Sequence, residues 1–100
     1  MKRQLIRELY ENTESFGGKT VTVGGWARSI RDSKAFGFID LNDGSFFKGV
    51  QVVFEREIIS NYDEVAKQNV GAALVVTGTV VLTPENKQPF EIKASDVQVE

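Results

Sequence analysis

The chain has 100 residues, of which 41% are hydrophobic and 26% are charged, and it contains neither cysteine nor histidine. This length and composition fit one globular domain, and the missing residue types exclude disulfides, thiolate sites and imidazole as a catalytic base or metal ligand. A net charge of −2 argues against duplex binding through a general basic field, so a nucleic-acid ligand would need a local patch.

An amphipathic helix is predicted first, because apolar residues recur at helical spacing between charged ones from Arg3 to Asn12. Residues 1–19 are assigned to this helix and a connector, and residues 20–100 to one folded domain. The domain opens with alternating apolar residues, which predict a strand to about residue 30. The pair Gly24-Gly25 predicts a bend or bulge within that strand.

Two further strands are predicted to form a hairpin. The second strand runs from Phe36 to Asn42 and the third from about Phe47 to Glu55, with turn residues between them. Alternation places Ile39 and the other apolar residues of its parity toward the core.

One helix and two strands complete the predicted pattern. The helix spans about residues 61–71, the fourth strand residues 72–82 and a polar loop residues 83–89. The fifth strand begins at Phe90, and its apolar parity shifts after Ser95-Asp96, which predicts a bulge.

The order β-β-β-α-β-β predicts an all-β fold, a five-stranded OB-fold Greek-key barrel with an extra N-terminal helix. An SH3-like barrel is the alternative, and the helix between strands three and four favours the OB fold. OB folds bind ligands on strands two and three and on the loops joining strands one to two and four to five. Those loops are residues 31–35 and 83–89 here.

Phe38 is the main candidate for binding, because its parity turns the ring out of the barrel on the predicted ligand face. An exposed phenylalanine there is a stacking platform for a nucleobase; the alternative is that another element covers it. A hairpin centred on the turn would set Gln51 directly across from Phe38, where its amide could read a base edge. Phe36 and Phe46 are further aromatic candidates.

Charged residues near these positions are further candidates. Arg28, Arg31 and Lys34 concentrate positive charge around the first loop, suited to phosphates or simply a solvated surface. Glu91 could accept hydrogen bonds from a purine edge, or be a routine surface glutamate. Asp40 and Glu91 could be imagined as a general acid and base pair, but the sequence marks no pocket, nucleophile or metal site to accompany them.

No catalysis, metal site or cofactor is expected in this chain. The glycine pairs lack the spacing of phosphate-binding loops. No apolar run approaches the ~18 residues of a membrane span, so a cytoplasmic protein without a membrane partner is expected.

A family resemblance covers nearly the whole chain. The segments VGGWARSIRDSK at residues 23–34, FIDLNDGS at residues 38–45 and QVV at residues 51–53 resemble the anticodon-binding domain of asparaginyl-tRNA synthetases. The leading helix with its ELY sequence and the closing EIKASD sequence also match. The LNDGS turn favours the asparaginyl branch, since the aspartyl and lysyl branches tend to have LRD.

The resemblance implies roles for individual residues. Phe38 would stack on the middle anticodon base, a uridine, and Gln51 would hydrogen-bond it. Arg31 would contact the anticodon stem or loop, and Glu91 would help to recognise the first base, a guanosine. The loop at residues 83–89 would lie near the third base.

The chain departs from the family in length, because those enzymes continue into a class II catalytic domain that forms their main dimer contacts. The chain is therefore either a truncated enzyme or a free-standing paralogue, and the parent enzyme is expected to be a homodimer through that domain. Three functions stay open: a module for the anticodon arm of asparagine tRNA, a general single-strand binder, and a protein-interaction domain.

Overall fold

The computed structural model describes residues 3–83 and 88–100, which form a closed five-stranded barrel. The strands are β1 (Thr20–Asp32), β2 (Phe36–Asn42), β3 (Val50–Glu55), β4 (Ala73–Leu82) and β5 (Phe90–Val99). The helices are α1 (Ile6–Glu11), α2 (Thr13–Phe16) and α3 (Tyr62–Ala66).

The order of strands around the barrel is β1-β2-β3-β5-β4, and β4 closes back onto β1. The β3–β5 pair is parallel, whereas the other pairs are antiparallel. Together with α3 between β3 and β4, this topology confirms the predicted OB fold over the SH3-like alternative. None of the helices in the described part of the chain is long and apolar enough to span a bilayer.

The core lies inside the barrel and under α1. Ile39, Val52 and Phe54 are fully buried, as their alternation predicted, and Ile6 and Leu9 of α1 are buried against them. Helix α1 therefore packs its apolar stripe against the core of the barrel.

The turn between β2 and β3 caps helix α1. Asp43 Oδ2 accepts a hydrogen bond from the backbone N–H of Ile6 at 2.9 Å, and Ser45 Oγ accepts one from that of Arg7 at 3.0 Å. These donors have no partner within the helix itself. A turn distant in sequence thus caps two backbone N–H groups of this helix, and Glu8 Oε1 accepts a hydrogen bond from the backbone N–H of Leu5 at 2.9 Å.

Several element boundaries differ from the sequence prediction. Residues 3 and 4 pair with β1 through Thr22, so α1 begins at Ile6. The turn segment 46–49 packs on Tyr10, whose hydroxyl donates to the Gly49 carbonyl at 2.6 Å, so β3 begins only at Val50.

Helix α3 is also shorter than predicted and ends at Ala66. The backbone N–H of Gly71 donates to the Ala27 carbonyl at 2.7 Å, and Gly71 has a φ of 95°. The chain therefore turns back along β1 before it enters β4.

The bulge predicted at Gly24-Gly25 in β1 lies elsewhere. The register slips between Ala27 and Ser29, so Arg28 is the extra residue. Gly25 instead permits close approach, because a Cβ there would lie 2.3 Å from the Asn42 carbonyl oxygen. The bulge predicted in β5 is confirmed, since Thr77 pairs with Asp96 and Gly78 with Ala94.

Candidate nucleic-acid interface

The strand register arranges the outer face of β1, β2, β3 and β5 in transverse rows. One row contains Arg31, Phe38, Val53 and Lys93, which are successive partners across the four strands. The row beside it contains Ser29, Asp40 and Gln51, and a hydrogen bond from Gln51 extends it to Glu91. Since paired residues point to the same side of a sheet, candidate residues from four strands share one surface.

Phe38 faces outward, as predicted, and is half-buried outside the core. Its ring meets that of Phe36 edge to face, with centroids 5.4 Å apart at 88°. The guanidinium carbon of Arg31 lies 5.3 Å from the Phe38 centroid, within the range of a cation–π contact. The contacts with Phe36 and Arg31 orient the ring and leave it outside the core.

The prediction that Gln51 lies directly across from Phe38 is wrong. Phe38 pairs with Val53, and Gln51 pairs with Asp40. The turn is longer than predicted, and the register is therefore shifted by two residues. A two-residue shift preserves the side of the sheet on which each side chain points, so Gln51 still shares the outer face and is a diagonal neighbour of Phe38.

Gln51 is joined to Glu91, another candidate, by a hydrogen bond of 3.0 Å from Nε2 to Oε2. Both side chains are half-buried. An ionised carboxylate only accepts hydrogen bonds, so the amide nitrogen must face Glu91. The amide still offers a second N–H and its carbonyl oxygen to a base edge.

A cavity of about 200 Å³, here called the polar cavity, lies beside Phe38. It brings together the candidates Arg31, Phe38 and Gln51. The remaining lining residues are Ser29, Ile39, Asp40 and Gln88. Gln88 belongs to the loop predicted to approach a third base; residues 84–87 of that loop lie outside the described residues.

Arg28 and Lys34 are exposed and do not line the polar cavity. Arg28 occupies the β1 bulge, which gives it no cross-strand partner. Lys34 has a φ of 74° in the turn between β1 and β2, and its backbone N–H donates to Asp32 Oδ1 at 2.7 Å. The structure therefore separates these two cations from the row of Phe38.

The same turn is anchored to α3 and to the segment that precedes it. The Tyr62 hydroxyl donates to Asp32 Oδ1 at 2.6 Å, and Arg56 Nε donates to the Lys34 carbonyl at 2.8 Å. The hydrogen bond from Tyr62 is the largest cause that lowers the pKa of Asp32. Burial, followed by this hydrogen bond, raises the pKa of Tyr62 to about 12.

Asp40 lies near the N-terminal helix. Its Oδ1 atom is buried and has no hydrogen-bond partner within the described residues. Tyr10 is close enough that its pKa is raised, first by burial and then by the charge of Asp40. Gln51 lies between Asp40 and Glu91 on the outer face. Within residues 3–83 and 88–100, no group of three acidic side chains is placed to hold a metal ion.

Sequence reasoning missed Ser29 and Lys93 as members of this surface, whereas Gln88 lies in the loop that it assigned to the ligand face. The residue types of Ser29 and Lys93 carry no signal, and only the register shows that they adjoin Phe38. Phe36 is 40% exposed on the outer face, consistent with its spacing of two from Phe38. Phe46 instead stacks on Tyr10 at 4.6 Å between ring centroids and is part of the packing.

Comparison with known proteins adds independent findings. The model of the tRNA anticodon family, described as an OB-fold nucleic acid binding domain, matches residues 21–100. An asparagine–tRNA ligase of Acetivibrio thermocellus is 53% identical over 100 residues, which cover the whole chain and 22% of that relative. An asparagine–tRNA ligase of Bacillus cereus is 52% identical over 100 residues, which cover the whole chain and 21% of that relative. The chain thus spans about a fifth of the length of these relatives.

A solved structure supports the fold. Asparaginyl-tRNA synthetase from Pyrococcus horikoshii, complexed with asparaginyl-adenylate, matches with a TM-score of 0.85 over 99% of this chain and 22% of that one. The sequence identity is 17%, so this likeness concerns the fold alone.

Proposed function

Since the chain belongs to this family of OB-fold nucleic-acid-binding domains, we propose that it is the anticodon-binding domain of an asparaginyl-tRNA synthetase. The observation that carries the proposal is the Phe38 ring on the outer face, beside a cavity that also holds Arg31 and Gln51. The relative that is 53% identical along the whole chain supports the choice of asparagine tRNA as the partner.

Stacking supplies affinity in this proposal. The middle anticodon base lies against Phe38, a contact that is worth ~1–3 kcal/mol per base and accepts any base. Arg31 contacts the same ring, so its guanidinium is placed both to stack and to meet a neighbouring phosphate.

Hydrogen bonds supply discrimination. Gln51 offers an N–H and a carbonyl oxygen to the edge of the middle base, and Glu91 offers acceptors to an adjacent purine. Because Gln51 donates to Glu91, the two readers are coupled. Selection of the middle base therefore depends on both side chains.

Arg28 and Lys34 contribute at longer range. Both are exposed cations outside the polar cavity, so we assign them to the phosphates that lead to and from the loop. Their contribution depends on salt and is insensitive to base identity.

The chain itself has a binding role and no catalytic one in this proposal, and it needs neither cofactor nor metal. The ligase that carries it acts in the cytoplasm as a homodimer, joined through a catalytic domain outside this chain. A purified sample should therefore neither activate asparagine nor exchange pyrophosphate with ATP.

The direct test compares two RNA hairpins, one with the asparagine anticodon and one with its middle base changed. Tighter binding of the first hairpin, followed by fluorescence anisotropy, supports anticodon reading. Equal binding of both would favour a general single-strand binder, and no binding of either would favour a protein-interaction domain.

A further inference from the structure

Lys34 adopts a backbone conformation that its side chain disfavours. Among residues 3–83 and 88–100, it is the only residue other than glycine with a positive φ, which is 74°. The left-handed region brings the Cβ atom of an L-residue too close to the following carbonyl oxygen, and glycine avoids that contact. The turn between β1 and β2 therefore carries a lysine where glycine would fit with less strain, and such exceptions concentrate at functional sites.

Both backbone polar groups of Lys34 are held in place by side chains. Its N–H donates to Asp32 Oδ1 at 2.7 Å, and its carbonyl accepts a hydrogen bond from Arg56 Nε at 2.8 Å. The backbone N–H of Arg56 also donates to the Ala35 carbonyl at 2.9 Å. The segment that follows β3 therefore fixes the conformation of this turn.

The guanidinium of Arg56 is itself engaged by protein groups. Its carbon atom lies 4.3 Å from the centroid of the Tyr62 ring, and Nη1 lies 3.0 Å from Asp63 Oδ1. The Asp63 carboxylate offsets the charge of Arg56, so this side chain is poorly suited to attract a phosphate. Lys34, in contrast, is exposed and forms no ion pair among the described residues, so the turn offers its ammonium to an external anion.

The turn lies at the edge of the candidate interface. Arg31, three residues before Lys34, contacts the Phe38 ring, and the loop joining strands one and two borders the ligand face in OB folds. A single-stranded RNA that leaves the face on this side carries its phosphates past the turn. An ammonium is a suitable partner for such a phosphate, and a rigid turn lowers the entropy lost when the contact forms.

We propose that Arg56 is a positioning residue for RNA binding: through the carbonyl of Lys34, it holds the turn in the conformation that presents the Lys34 ammonium to a phosphate. The strained φ of Lys34 is kept because the side chain makes this contact. The inference rests on the proposed function, because it requires an RNA strand on the outer face. It gives a role in binding to Arg56, which does not line the polar cavity.

The test compares two substitutions of Arg56 that differ in one hydrogen-bond donor. Arg56→Gln has an amide nitrogen at the same distance along the side chain as Nε, so it keeps a donor for the Lys34 carbonyl but removes the positive charge. Arg56→Met keeps an unbranched side chain and removes both the donor and the charge. Binding of the matching and mismatched anticodon hairpins is followed by fluorescence anisotropy.

Arg56→Met should weaken both hairpins equally, by about two- to ten-fold, the range expected when one long side chain must be ordered on binding. Arg56→Gln should bind both hairpins as the unaltered chain does. In a chain that also carries Lys34→Asn, Arg56→Met should have no further effect, because the ammonium that Arg56 positions is gone.

Lys34→Asn alone should separate binding from stability. It should weaken both hairpins equally and make the slope of log affinity against log salt shallower by about one. The midpoint of urea unfolding should stay the same or rise, since asparagine adopts the left-handed conformation more readily than lysine. A lower midpoint would mean that the Lys34 side chain serves the fold, and would overturn the inference.

Three further results would overturn it while the unaltered chain still prefers the matching hairpin. Equal losses in Arg56→Gln and Arg56→Met would mean that the charge of Arg56 acts on the RNA directly. A loss in Arg56→Met that persists beside Lys34→Asn would mean that Arg56 does not act through Lys34. Normal binding by Arg56→Met would remove Arg56 from RNA binding. If the unaltered chain binds neither hairpin, the inference fails together with the proposed function.

Discussion

Gln51 donates a hydrogen bond from Nε2 to Oε2 of Glu91 over 3.0 Å, and this bond joins β3 to β5 on the outer face. It fixes which end of the amide faces a base, because the carboxylate accepts only from nitrogen. The orientation of one side chain thus depends on another that is 40 positions away in sequence.

Gln51→Ala should chiefly reduce discrimination at the middle base. The ratio of affinities for the matching and mismatched hairpins should fall by about ten-fold, since base-edge pairs contribute ~1–3 kcal/mol of discrimination. Stacking on Phe38 persists, so the mismatched hairpin should bind as before. Anisotropy titrations of both hairpins measure the ratio, and an unchanged ratio would remove Gln51 from the reading of the base.

Glu91 should act on the middle base through Gln51. Glu91→Ala removes the acceptor that orients the amide, and we expect part of the discrimination at the middle base to be lost. Glu91→Gln retains an acceptor oxygen and should restore it. If both variants discriminate as well as the unaltered chain, the hydrogen bond does not position Gln51.

Arg31→Ala should weaken matching and mismatched hairpins alike. The substitution removes one cation from the row of Phe38, so the slope of log affinity against log salt should become shallower by about one. Arg31→Lys keeps the charge and serves as the control for the slope. Base-selective weakening by Arg31→Ala would contradict its assignment to backbone contact.

Tyr62→Phe should destabilise the chain without changing contacts to RNA. The lost hydrogen bond to Asp32 should cost about 1 kcal/mol of the free energy of unfolding. The pKa of Tyr62 is about 12 in the folded chain against an ordinary 10.0. The contribution of the neutral Tyr62 side chain to the free energy of unfolding is therefore complete below pH 10 and is lost as the pH rises toward 12. Urea unfolding across this range should show a smaller alkaline loss in Tyr62→Phe.

Ultraviolet absorbance provides the accompanying measurement, since Tyr10 and Tyr62 are the two tyrosines of the chain. Tyr62→Phe should remove the component that titrates near pH 12 and leave the phenol of Tyr10, whose pKa is also raised. An alkaline stability profile identical to that of the unaltered chain would show that ionisation of Tyr62 is not linked to unfolding.

The sequence was sufficient to predict the barrel because period-two alternation identifies buried faces, as Ile39 and Val52 illustrate. The outward position of Phe38 followed from the same pattern. The partner of Phe38 did not follow, because register depends on the length of the turn. That length is set by packing of residues 46–49 on α1, which is not encoded by local propensity.

Other features of the interface arise from tertiary structure alone. Lys93 meets the row of Phe38 through the parallel β3–β5 pair, a contact between segments separated by a helix and a strand. Arg28 and Lys34 are near Arg31 in sequence. The β1 bulge at Arg28 and the positive φ of Lys34 place both residues away from the surface that Arg31 shares with Phe38. The cationic cluster predicted from proximity in sequence therefore included two residues that do not lie at the site.

The most direct test of the proposed anticodon reading is the affinity of Phe38→Ala for the matching hairpin, measured beside Phe47→Ala. Loss of the stacked base should weaken binding by ~1–3 kcal/mol, whereas Phe47→Ala should bind normally because Phe47 does not line the polar cavity. Unchanged affinity of Phe38→Ala, or equal losses in both variants, would contradict base stacking on Phe38 as the basis of recognition.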